Sequence, residues 1–171
     1  IEAVNASLTD LPFKDSSFDV ICGFDVVEHI EDDEKAIREI NRVLTPNGQY
    51  FLTVPAFQFL WSNHDVVNHH FRRYTQKSFL SLLYSNGLNV SFSSYFNFWL
   101  FFPIATVRFI LNLLPRKKSQ QTSGSDNEIL QSSSFLNSLL QHIFRTENIF
   151  FKKRIKLPVG VSFFATGSKS S

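Results

Sequence analysis

Apolar and polar positions along this chain fall into blocks with two different periods. Phe18–Phe24, within SSFDVICGF, is a short apolar run behind a polar turn. Its β-branched and aromatic residues, at strand length, predict a buried parallel strand. Ala36, Ile37, Ile40, Val43 and Leu44 then share one helical face, which predicts a helix over residues 33–44. Acidic residues from Glu31 to Glu34 open it, where the helix dipole favours negative charge. Pro46, Asn47 and Gly48 stop it, and Gln49–Val54 reads as the next strand. Strand, helix and strand in this order form a right-handed crossover.

The alternation continues downstream. Thr75 is an N-cap for a helix carrying Phe79, Leu80, Leu82 and Leu83, and Asn86-Gly87 ends it. Leu88, Val90 and Phe92 alternate with polar residues, as in a strand with one wet face, and LPVGVSFFATGSK reads as a last strand. Alternating helices and strands predict an α/β layered domain with a mostly parallel sheet. Between the last two strands, Tyr95–Leu114 is almost wholly apolar and rich in phenylalanine, interrupted by Pro103 and Arg108. Arg116, Lys117 and Lys118 follow, then a polar run too hydrophilic to bury much, so 116–134 reads as a mobile loop. Phe135, Leu136, Leu139, Leu140, Ile143 and Phe144 return to helical spacing over 135–151. The chain thus divides into a core part (1–94), an insertion (95–157), and a last strand with its tail (158–171).

Composition narrows the class. At 171 residues, with 43% hydrophobic and 19% charged, the chain can bury one core and is not a disordered tail. Seventeen basic against 15 acidic side chains leave a net charge of +2 and no basic stripe, which argues against nucleic acid as partner. The lone Cys22 cannot form an internal disulfide, consistent with a reducing, cytoplasmic setting. No basic start followed by a long apolar stretch marks a secretion signal. Methionine is absent throughout and Ile1-Glu2-Ala3-Val4 resembles mid-strand sequence, so the expectation is a fragment.

The stretch LTDLPFKDSSFDVICGFDVVEHIEDDEKAIREINRVLTPNGQYFLTVP resembles the middle of class I S-adenosylmethionine-dependent methyltransferases. An LPF loop leads to an FD-V strand, then a VxEH helix start, an N-R-V-L-x-P-x-G helix end and a further strand. GVSFFATGSK resembles the family's last, antiparallel strand. The resemblance implies an α/β, Rossmann-like class I methyltransferase fold, truncated at its N-terminus, with a hydrophobic and helical insertion before the last strand. It implies S-adenosyl-L-methionine as cofactor. Ser7, Leu8 and Thr9 would meet the adenine, with Ser7 standing where the family often has an acidic residue. Cys22, Gly23 and Phe24 would face the cofactor's methionine part; otherwise they are a strand end and a turn. The family's Gly-rich turn and ribose-binding carboxylate would lie upstream. Glycines 23, 48, 87, 124, 160 and 167 never cluster into such a turn, so this chain alone is expected to bind cofactor poorly.

Two segments carry candidate chemistry. Glu28 and His29 can touch substrate or exchange protons; alternatively Glu28 supports the helix start and His29 packs under a loop. In WSNHDVVNHHFRRYT, His64, Asp65, His69, His70, Arg72, Arg73 and Tyr74 crowd together just past a strand end, where open α/β sheets place ligands. Methyl transfer to oxygen needs a proton acceptor, for which His64 or His69 is suited, with Asp65 as the orienting carboxylate. Arg72 and Arg73, with Tyr74, suit an anionic group on the substrate. They can equally hold the segment by salt bridges, with Tyr74 and Thr75 simply starting the next helix. Imidazole and carboxylate also bind metals, but the spacing matches no tight metal signature and no metal is expected.

Tyr95–Leu114 is about long enough to cross a bilayer, although Pro103, Arg108 and several amides argue against a plain spanning helix. An interfacial helix, with membrane surface contact through 95–118, and an apolar cap over the cleft both fit. Either points to a hydrophobic or lipid-like small-molecule acceptor. Two other classes compete: a non-catalytic scaffold working through 95–151, and a nucleotide-dependent dehydrogenase. The LPF loop and the GVSFFATGSK ending speak against the dehydrogenase.

Overall fold

A computed structural model of the chain describes residues 3–113 and 134–170. Strands β1 (Phe18–Phe24), β2 (Leu44–Pro55), β3 (Leu88–Phe96) and β4 (Ser162–Lys169) form one sheet in the order β1-β2-β4-β3. Helix α1 (Asp33–Val43) is the crossover that lets β1 and β2 pair in parallel. β4 lies antiparallel between β2 and β3. Among the described strands, therefore, the mostly parallel sheet expected from the alternation holds for one pairing only. The last strand returns in the opposite sense, as its resemblance implied.

Local chemistry sets the boundaries. Asp32 caps α1, its carboxylate accepting from the Lys35 amide at 2.9 Å. The helix ends at Val43, and Leu44 is already extended. The β1–β2 register then jumps from Phe18↔Leu44 to Val20↔Gln49, so Pro46, Asn47 and Gly48 bulge out of the strand, with Asn47 at φ 63°. A short helix α2 (Asn63–Val67) follows β2. Thr75 caps α3 (Gln76–Ser85) in a reciprocal capping box with Ser78. Gly87 ends that turn at φ 79°, and an added Cβ there would stand 2.7 Å from the Asn41 side chain.

One face of the sheet packs on α1 and α3. Tyr50, Leu52, Val54, Phe79, Leu83 and Phe163 form its fully buried centre, with Ile37 and Ile40 from α1. β1 departs from the expected buried strand. It is parallel, but among the described strands it forms the edge, and Val20 and Phe24 are 54% and 61% exposed in this chain.

The insertion holds two helices, α4 (Phe98–Leu113) and α5 (Ser134–Lys152), while Tyr95 and Phe96 still belong to β3. Buried Glu147 of α5 accepts from the amides of Asn97 and Trp99 at 2.8 and 3.3 Å, and so caps α4 from outside its own sequence. Phe101 of α4 packs on Phe57 and Phe59 in the loop after β2. Trp99, Phe102, Val107, Phe109 and Ile110 remain exposed. No described helix is long and apolar enough to cross a membrane. The basic triplet 116–118 and the polar run lie outside the described residues, apart from Ser134, which opens α5.

Candidate active site

Because β1 and β2 are parallel, the segments that leave their carboxyl ends emerge on the same edge of the sheet. Residues 25–31 follow β1 and residues 56–74 follow β2. They are tied together where the Phe71 amide donates to the Glu28 carbonyl at 2.8 Å. Asp25, at φ 53°, is anchored back to β2, its amide donating to the Thr53 carbonyl at 3.1 Å.

Asp65 is the hub of the second segment. Fully buried, its carboxylate accepts five hydrogen bonds: from the Ser62 amide and hydroxyl, His70 Nδ1, Arg73 Nε and Arg73 Nη2. Burial alone would raise its pKa. The Arg73 guanidinium, with His70 and the Ser62 amide, overturns that and holds it at about 2. An ionised carboxylate can only accept, so His70 Nδ1 carries the proton and its Nε2 is left to act as base or ligand. His29 faces His70 edge to face, with ring centroids 4.5 Å apart.

Glu28 completes the cluster from a short 3-10 turn after β1 (Val27–His29). It is fully buried, neither carboxylate oxygen has a hydrogen-bond partner, and Oε1 lies 4.0 Å from His29 Nε2. Burial pushes its pKa up to about 7, with Asp25 reinforcing the shift and its own backbone amide and Arg73 opposing it. A carboxyl that binds its proton more tightly folded than unfolded stabilises the fold fully below about 4.5. It loses that contribution as pH rises through about 7. In EDTA, urea midpoints should therefore fall from pH 5 to pH 8 by the equivalent of roughly 3 kcal/mol, and Glu28→Gln should flatten that slope. An unchanged slope in the variant would assign it elsewhere.

The other candidates are placed as follows. His64 is exposed on α2, its Nε2 2.9 Å from Asn68 Nδ2, and His69 is exposed at φ 55°. Asp65 orients neither; the histidine it holds is His70. Arg72 pairs with Asp33 at 2.8 Å and donates to the Glu31 carbonyl. Arg73 is engaged by Asp65 and the Ala56 carbonyl, and the buried Tyr74 hydroxyl donates to Asp33 at 2.8 Å. These three side chains tie the segment after β2 to α1 and to itself. Ser7 and Thr9 bond each other through their hydroxyls at 2.8 Å, and Leu8 packs against the core. The loop that follows is pinned to α1: Arg42 donates to the carbonyls of Leu11 and Phe13, and Glu39 accepts from the Leu11 amide. Cys22 and Phe24 are exposed, and the space beside Gly23 is taken by Leu52 of β2.

Residues 1–52 match the methyltransferase domain family. Solved structures superpose over nearly the whole chain. Phosphoethanolamine N-methyltransferase 2 of Haemonchus contortus, in complex with S-adenosyl-L-methionine, aligns with 96% of this chain and 36% of its own at TM-score 0.53 and 14% identity. The fold is that of class I methyltransferases. The [4+2]-cyclase SpnF shares it at TM-score 0.52 and 17% identity, over 96% of this chain and 55% of that one. A class I methyltransferase fold thus does not by itself fix the reaction. Among curated sequences, a probable S-adenosylmethionine-dependent methyltransferase of Mycobacterium tuberculosis is 38% identical over 55 residues, 32% of this chain and 20% of its own length. The sarcosine/dimethylglycine N-methyltransferase of Halorhodospira halochloris matches to the same extent. The aligned part therefore spans about a fifth of these curated relatives.

Proposed function

We propose that the protein carrying this chain transfers a methyl group from S-adenosyl-L-methionine to a small, hydrophobic or lipid-like acceptor. The observation that carries the reading is the Asp65–His70 pair on the carboxyl edge of the β1–β2 pair within a class I methyltransferase fold. The residues present fit part of the cofactor. The exposed end of β1, at Cys22 and Phe24, offers an apolar surface to its methionine part, and Ser7 and Thr9 offer hydroxyls to its adenine. When bound, the cofactor supplies an electrophilic methyl on a sulfonium.

The chain's own residues align the acceptor and take its proton. Asp65 fixes the His70 tautomer, and His70 Nε2 accepts the proton as the acceptor heteroatom bonds to the methyl carbon. The cofactor's sulfur would be the leaving group and would keep the carbon–sulfur electron pair. Glu28 and His29 stand close to His70 and the His64 ring lies 6.3 Å from the His70 ring, so these side chains, with the exposed His69, are the candidates to line the acceptor's approach. Phe59, Ala105, Thr106 and Phe109 line an apolar groove between the loop after β2 and α4, the wall expected to favour a hydrophobic acceptor. The exposed face of α4 supports contact with a membrane surface from the cytoplasmic side.

The test is calorimetric titration of S-adenosylhomocysteine into the protein, followed by methyl transfer to a panel of acceptors that begins with lipids. His70→Gln should leave binding within about threefold and lower kcat on the order of 100-fold or more. Absence of binding by a well-folded protein would move the weight to a non-catalytic scaffold.

A further inference from the structure

Glu28 is a buried group without an answer. Of the buried carboxylates among the described residues, Asp65 accepts five hydrogen bonds and Glu147 caps two amides, but both Glu28 oxygens have none. Such a group is costly unless a proton or a cation meets it. One ligand atom each from Glu28, His29 and His70 lies within 4.8 Å of the other two. His70 has its Nδ1 proton fixed on Asp65, the arrangement by which a carboxylate orients a metal-binding imidazole. Arg73 in turn locks Asp65.

We propose that Glu28, His29 and His70 bind a divalent first-row transition-metal ion. Two imidazole nitrogens and one carboxylate suit zinc, cobalt, manganese or iron(II), and not the all-oxygen shells that calcium and magnesium prefer. Ligand atoms about 2.0–2.2 Å from such an ion stand roughly 3.4 Å apart, so the three groups draw together by about an ångström on binding. His29, with 37% of its side chain exposed, has room to make that shift. The sequence gives no tight signature because the ligands come from two separate loops. Their meeting depends on the parallel pairing of β1 and β2.

Three protein ligands leave coordination positions open on the edge where the acceptor is placed. His70 Nε2 has one lone pair, so ion binding and the proton-accepting role proposed above would be alternatives, selected by whether the ion is present. In the ion-bound form the cation would lower the pKa of a hydroxyl group brought to it. This consequence rests on the methyl-transfer reading; the metal site itself rests only on the cluster.

The experiment is titration of cobalt(II) chloride, then zinc chloride, into EDTA-treated and desalted chain. Calorimetry, the visible cobalt spectrum and the melting temperature are the readouts, and no cofactor is added. The expected result is one ion per chain, a raised melting temperature and a cobalt spectrum of mixed nitrogen and oxygen ligation. Glu28→Gln and His29→Ala should each weaken binding tenfold or more, while Glu34→Gln, on the exposed side of α1, changes nothing. Glu28→Gln removes a buried charge and should melt no lower than the parent in EDTA, which separates lost ligation from unfolding. A cooperatively folded chain that takes up no ion would overturn the proposal. So would uptake that Glu28→Gln and His29→Ala leave within twofold. Neither result bears on S-adenosylhomocysteine binding, which is measured separately.

Discussion

An Asp65→Ala chain is expected to lose about 3–5 kcal/mol of unfolding free energy, read as a lower urea midpoint at unchanged slope. The substitution removes one buried acceptor that answers Ser62, His70 and Arg73 together. Arg73, with 9% of its side chain exposed, would keep its charge in the interior with only the Ala56 carbonyl to meet it. The cost comes mainly from that stranded cation. Arg73→Met combined with Asp65→Leu should therefore recover much of the loss, because an apolar pair leaves no charge behind. The carboxylate's contribution should be intact above about pH 3.8 and fade as pH falls towards about 2, the sense expected of a depressed pKa. A loss below about 1 kcal/mol at neutral pH would mean that water reaches the pair and screens it.

Gly167→Ala should be nearly as damaging, at about 3 kcal/mol, the upper end of overpacking costs. Gly167 lies in β4 opposite Tyr50 on one side and Val90 on the other. The Tyr50 hydroxyl reaches over to donate to the Asn89 carbonyl at 3.1 Å, and a Cβ on residue 167 would collide with that same carbonyl. The obstacle is backbone, which no rotamer change relieves. The register between β3 and β4 also shifts between Val90 and Phe92, so the ladder is already displaced there. Thermal melts of the variant and parent would measure the effect. A shift of under 2 °C would show that the two strands slide apart at little cost.

The parts of this fold that were legible in sequence are those decided within a few residues. Thr75 before α3, the acidic run Glu31–Glu34 at the start of α1 and Asn86-Gly87 after α3 act on their own turn of chain, and their chemistry can be read locally. The apolar run at Phe18–Phe24 gave the strand but not its exposure, since exposure depends on which strands lie beside it. Asp65 was legible as an orienting carboxylate. Which of three nearby histidines it would hold was not, because His69 turns through positive φ and carries His70 inward in place of its neighbours. Glu28 and His70 become neighbours only when β1 and β2 align, and Glu147 reaches α4 only when the two helices of the insertion pack. No period or motif records such meetings. Arg72, Arg73 and Tyr74 look like anion binders as a string of residues. Asp33 and Asp65, which occupy them, come from α1 and α2.

The position of β4 has a consequence for how the chain reaches this state. Of the described strands it is the latest in sequence, yet it sits between β2 and β3, and neither of those pairs with the other. Until residues 162–169 have left the ribosome, the β1–α1–β2 unit and the β3 segment have no shared ladder among the described strands to hold them. Closure must then span the whole insertion in sequence, and the entropy of bringing such distant segments together has to be overcome before the pairing repays it. Closure of this sheet should be a late step in folding, with a slow final phase. Chains stalled before residue 160 should be the ones that proteases and chaperones meet first.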